Sequence, residues 1–263
     1  MMEQNSISDC LVFFMDESGS GSNSDSKTNC WVSVGVLARL ADHKALTEDL
    51  YEMRRRCMRL YNKEMKGVDL SPNHLNLGVT IDDVARDLAA LIRKYGLTVI
   101  VTGANKSPML DRQTKFVPSN EKKGLQAKDV ARELMLERLS LRFDHDSTGS
   151  CQGLLVWDIS DNNELIDFSK VVGSYVNPHN NKKPNERIIG HILGGLSHEW
   201  AEIQIADLVS NYALNYMADG IFEDANKEKS DAFKKHLYPA LYHMYGRALG
   251  YGYKVMVFPR ESA

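Results

Sequence analysis

Residues 11–19 read Leu-Val-Phe-Phe-Met-Asp-Glu-Ser-Gly. An apolar run of strand-forming residues stops at two acids and gives way to a Gly/Ser-rich turn. Such a run suits a strand buried on both faces. The rim where strands of this kind leave an open α/β sheet is where ligands bind. A carboxylate there costs desolvation free energy unless a cation or hydrogen bonds offset it. Asp16 and Glu17 are therefore candidate metal ligands, although a simple turn also accounts for Asp16, because Asp, Ser and Gly are ordinary turn residues. Successive strand residues face opposite sides, so a regular strand turns only one of the pair inward. Asp16 is the first choice and Glu17 the second.

A second apolar strand, Leu-Val-Trp-Asp158, also ends in an acid. If the two strands are neighbours, their carboxylates meet at one rim and raise each other's pKa unless a cation lies between them. Magnesium suits such a site, because it takes a few carboxylate oxygens and keeps its other positions for water and phosphate. Asp161 competes with Asp158 as a ligand, but Asp161-Asn-Asn-Glu164 also has the spacing of a helix N-cap with a reciprocal Glu. Asp207 sits in Ile-Gln-Ile-Ala-Asp-Leu-Val-Ser-Asn-Tyr. There Gln204, Asp207, Asn211 and Asn215 share one side of a helical wheel opposite Ile205, Leu208, Val209, Tyr212 and Tyr216. That periodicity by itself favours a solvated polar stripe. Glu64-Met-Lys66-Gly67 places a carboxylate and an ammonium on one face of an extended segment, where both could address a phosphate. A helix terminus before Gly67 explains it equally well.

Around these residues the chain alternates strands and helices. Strands are expected over Leu11–Met15, Trp31–Leu37, Leu97–Thr102, Leu154–Trp157 and Lys254–Phe258, the first two forming a hairpin. Helices are expected over Asp42–Tyr61, Asp82–Tyr95, Lys128–Leu141, from Asn162, over Ile203–Met217 and over Asp231–Tyr245. Gly96 is placed to end the second helix. The polar stretches 105–124 and 177–185 read as loop insertions. This pattern predicts a single α/β domain over 1–263 with a mixed central sheet flanked by helices.

Composition narrows the class. Of 263 residues, 43% are hydrophobic and 25% charged, ordinary for a soluble globular protein. A net charge of −3 confines any nucleic-acid surface to a local patch. The best patch is Met53-Arg-Arg-Arg-Cys-Met-Arg59, where Arg54, Arg55 and Arg59 could meet a nucleic-acid backbone or form a solvated helix face. The opening Met-Met-Glu-Gln-Asn lacks the basic and apolar regions of a secretory signal. The four scattered cysteines suit reduced thiols, so a cytoplasmic location is expected. No phosphate-binding loop, nucleophile elbow or zinc spacing is present. His198, just before the Asp207 helix, could assist catalysis or be an ordinary surface or core histidine.

Four pieces, in order, resemble domain-of-unknown-function family 3800: Phe-Met-Asp16-Glu17-Ser18-Gly19, Glu64-Met-Lys66-Gly67, a strand ending at Asp158, and Ile203-Gln204-Ile-Ala-Asp207-Leu. That bacterial family opens with a DESG motif, carries E-x-K-G, and ends with a Q-x-A-D-L helix. The resemblance implies a ribonuclease-H-like fold and a divalent-metal nuclease site. It makes Asp16, Glu64, Asp158 and Asp207 the candidate ligands, puts Lys66 near the substrate phosphate, and turns Asp207 from surface residue to site residue. The expected activity is hydrolysis of RNA or DNA phosphodiesters by a water activated on magnesium or manganese. Gln204 and the arginines would contact substrate. The rival expectations are a non-catalytic binding or regulatory protein on the same fold, and a metal-dependent hydrolase of small phosphate compounds.

Overall fold

The structure, a computed structural model, describes residues 10–19, 30–60, 64–105, 127–145, 153–158, 162–176, 188–196, 198–219 and 225–256. Asp161 lies outside them, as do the insertions expected near 105–124 and 177–185 apart from Asn105. The strands are β1 Leu11–Ser18, β2 Cys30–Arg39, β3 Thr98–Asn105, β4 Gly153–Asp158, β5 Ile188–Gly195 and β6 Tyr253–Met256. They form one mixed sheet in the order β5-β4-β1-β2-β3-β6. β1, β2 and β3 make an antiparallel meander; β4 lies parallel to β1, β5 to β4, and β6 to β3. The mixed sheet covered by helices that the sequence predicts is the architecture adopted.

The helices are α1 His43–Cys57, α2 Ile81–Lys94, α3 Ala127–Asp144, α4 Asn162–Val176, α5 Ala201–Ala218 and α6 Lys227–Ala232. Alternation along β1 assigns them to faces. Val12 and Phe14 join the core with α1, α2 and α5. Phe13 and Met15 join the core with α3 and α4. Asp16 continues the first series and Glu17 the second. α2 starts on a Thr80–Asp83 capping box, and Gly96, at φ 57°, follows its end. No helix among the described residues is long and apolar enough to cross a membrane.

Three expectations about elements need correction. α1 stops at Cys57 rather than Tyr61, because Asn76 Nδ2 donates to the carbonyls of Arg55 and Arg56, and Met58 turns extended to bridge Leu75. The helix expected over Asp231–Tyr245 starts earlier and ends sooner. After α6 it widens over Phe233–Leu237, tightens over Tyr238–Ala240 and stops. Pro239 lacks the amide a continuing helix needs, and Tyr245 and Gly246 adopt positive φ, 50° and 72°. β5 was unexpected: its sequence, Ile-Ile-Gly-His-Ile-Leu-Gly-Gly, carries three glycines, which weaken the strand pattern.

Candidate active site

β1 and β4 pair in parallel with Met15 opposite Trp157, so Asp16 and Asp158 stand side by side where that ladder ends, Asp16 still paired with Val34 of β2. α5 packs across β1 and β2 on the same face and brings Asp207. The fourth acid comes from the segment after α1: Glu64 precedes a single 3-10 turn, Gly67–Asp69, that packs against α5. The Gly67 amide donates to Asp207 Oδ2 at 2.7 Å. Gly67 permits this approach because a Cβ there would lie 2.3 Å from that of Asn211. Lys66 Nζ stands 3.8 Å from Glu64 Oε2. The structure thus brings Asp16, Glu64, Lys66, Asp158 and Asp207 to one rim.

Their charges act on one another. Burial, then the negative charge of Asp207, raises the Asp16 carboxyl well above the usual carboxylate range; Asp158 adds to this, while a hydrogen bond from the Glu17 amide opposes it. Burial also raises Asp207, with Glu64 and Asp158 adding to the shift and the Gly67 amide and Lys66 opposing it. Like charges gathered in a desolvated place are what a cation would relieve. The donors, all carboxylate oxygens, suit a hard divalent ion such as Mg2+ or Mn2+. Among the described residues, no three His, Cys, Asp or Glu side chains stand close enough together to hold a metal ion as they are placed.

Glu17 is a correction. It points to the other face, where Arg132 Nε and Nη2 donate to its two oxygens at 2.9 and 2.5 Å. Ser33 Oγ donates to it at 2.7 Å and Trp31 Nε1 at 3.4 Å. The guanidinium carbon of Arg132 also lies 4.7 Å from the Trp157 ring centroid and 5.0 Å from that of Phe168. An acid held in this way has a cation already and belongs to the core.

The solvated stripe on the Asp207 helix is also corrected. Gln204 and Asn211 are buried, because α5 is covered on this side by the 3-10 turn and by α6. The basic helix divides. Arg54 is part-buried and feels the charge of Glu64. Arg55 is exposed and pairs with Glu52 at 2.8 Å. Arg59 donates to the Leu75 carbonyl at 2.7 Å, so its Nε closes the chain reversal after α1 rather than standing ready for substrate. His198 is exposed and faces Glu199. Sequence reasoning missed Arg132, Lys229 and Glu202. Glu202 is fully buried with both oxygens 3.0 Å from His43 Nδ1. Each of these three has its partner far away in sequence, beyond any local pattern.

No protein-family model matches the chain, and no curated protein matches it. Among solved structures, the chain matches several, including two of Bst-RNase HIII. One is Bst-RNase HIII in complex with Mn2+, 12% identical with a TM-score of 0.44, covering 79% of this chain and 53% of that one. The other is a glutamine-to-alanine mutant of Bst-RNase HIII, 10% identical with a TM-score of 0.42, covering 77% of this chain and 51% of that one. The matched region is about half the length of those proteins.

Proposed function

We propose that this chain is a divalent-metal-dependent nuclease that hydrolyses phosphodiester bonds of RNA or DNA. The observation that carries this reading is the gathering of Asp16, Asp158, Asp207 and Glu64, from four separate segments, around a part-buried rim where burial and mutual repulsion raise Asp16 and Asp207. The motif resemblance supports the same assignment. Asp16, Asp158 and Asp207 are the residues that would hold Mg2+ or Mn2+, which supplies Lewis-acid stabilisation and a water acidic enough to attack near neutral pH. Glu64 is placed to accept a proton at the edge of the group. Lys66, 53% exposed at its side chain, is free to swing from Glu64 to a substrate phosphate oxygen. Arg54, in the field of Glu64, extends the positive edge, and Arg55 can meet the backbone farther out. Gln204 is buried on α5 one turn before Asp207, which keeps its side chain from the surface a substrate would meet.

The test is incubation of the purified chain with labelled single- and double-stranded RNA, DNA and hybrid, with Mn2+ or chelator, beside Asp16→Asn. Metal-dependent cleavage lost in the mutant is the expected result. A second reading, a non-catalytic binding protein, draws on the lack of any three acids among the described residues placed to hold a metal ion. That reading requires no cleavage of any substrate and no rise in melting temperature on adding metal.

A further inference from the structure

α6 delivers a lysine to the back of the acid cluster. Lys229 is only 7% exposed. Its Nζ donates to Asn211 Oδ1 at 2.7 Å and to the Gly67 carbonyl at 3.2 Å. Both direct acceptors are uncharged, and although the charge of Asp207 favours the ammonium, burial outweighs it; such a group is costly when an apolar side chain of similar volume could fill the space. The bonds it makes close a circuit. Gly67 is gripped at both peptide groups: its N–H donates to Asp207 and its carbonyl accepts from Lys229. Asn211, the other acceptor, lies one helical turn beyond Asp207 on α5. Residues 64–66 belong to no helix or strand; Met65 anchors them in the core, and the hold on Gly67 fixes the side on which Glu64 and Lys66 flank it.

We propose that Lys229 is a positioning residue, which through Gly67 holds the Glu64–Lys66 segment against the Asp207 side of the cluster while touching no reacting atom itself. The positioning role rests on the nuclease reading above; the clamp on Gly67 does not. α6 has other attachments to α5: the Asn226 amide donates to Asn215 Oδ1 at 2.9 Å, and Ser230 Oγ to Asp219 Oδ2 at 2.6 Å. Replacing the lysine head group therefore leaves the helix docked.

Lys229→Met tests both parts. Residue-resolved amide exchange should show the Gly67 amide exchanging about tenfold faster, the factor expected when a net hydrogen bond holding the segment is lost, with α2 and the central strands unchanged. Unaltered Gly67 protection overturns the clamp. On a cleaved substrate, kcat should fall at least about tenfold with KM within about twofold, the signature of an interaction that matters in the transition state. In a Glu64→Gln background the same change should have almost no further effect, because both act through one segment. Cleavage unaffected by Lys229→Met, or losses that simply multiply in the double mutant, overturn the positioning role alone. A wild-type chain that cleaves nothing overturns the nuclease reading and the positioning role together, and the exchange result still decides the clamp.

Discussion

Asp16 and Glu17 are consecutive on one strand, and the two faces of the sheet receive their carboxylates in opposite ways. On the α3 side Glu17 meets a guanidinium, a hydroxyl and an indole N–H, so its burial is compensated within the protein. On the α5 side Asp16 meets Asp207 and Asp158, so its burial is aggravated. A compensated buried acid is a structural element whose loss strands a charge. An aggravated one is held by its surroundings in a state that only a ligand or a proton relieves, which is why the proposed nuclease reading places its chemistry on Asp16 and not on Glu17.

The contrast is sharpened first by Glu17→Ala. Arg132, fully buried, would lose its counter-ion, and stability should fall by about 3–5 kcal/mol, read as a shift of the urea midpoint. Gly67→Ala comes next. Its methyl group would be driven into Asn211, 2.3 Å away, at a cost of roughly 1–3 kcal/mol, and cleavage should fall with it as Glu64 and Lys66 move. Asp16→Asn should reverse the pattern: stability at pH 7 unchanged or raised, with cleavage below ~1% of wild type, or roughly 2.7 kcal/mol of barrier. A destabilised Asp16→Asn would break the comparison.

The same pair predicts a pH dependence. The folded chain holds the Asp16 carboxyl above its unfolded value, so as pH falls the native state takes up this proton first and gains stability. The gain is complete below the unfolded pKa of about 3.9 and is lost as pH rises through the folded value. The stability advantage of Asp16→Asn should therefore shrink as pH drops from 7 toward 4. Subtracting one curve from the other removes acids such as Asp83, which the Thr80 hydroxyl and amide hold down. The smallest effect is expected at Arg55→Gln. Loss of its exposed pair with Glu52 should change stability by less than about 0.5 kcal/mol, while binding of a nucleic-acid substrate weakens and its salt dependence becomes shallower.

How much of this was legible follows from the range of each interaction. Strands ending in Asp16 and Asp158 are written in local hydrophobic runs, and strict alternation already separates Asp16 from Glu17. Asp207 was ambiguous because a helical wheel records polarity but not cover. The stripe of Gln204, Asp207 and Asn211 looks solvated until Gly67 and Lys229 are laid over it. Arg132 reads as one more charge on a helix, since its partner Glu17 lies at the other end of a fold not yet formed. Arg59 looks like a free cation because the Leu75 carbonyl that occupies it belongs to a chain reversal set by Asn76.

The parallel pairing of β1 with β4 has a consequence for how the molecule is made. β1, β2 and β3 follow one another and can zip as a meander, but the contact from Leu11 opposite Gly153 to Met15 opposite Trp157 joins distant parts of the chain. Pairing of that kind is slow, because a long loop must close before any bond forms. Until it does, one edge of a strongly apolar strand stays open to other copies of the chain. The docking that covers this edge is also the step that sets Asp158 beside Asp16. Recovery of cleavage and the end of concentration-dependent light scattering during refolding should share one slow phase: the chain becomes safe from its neighbours at the moment its site is assembled.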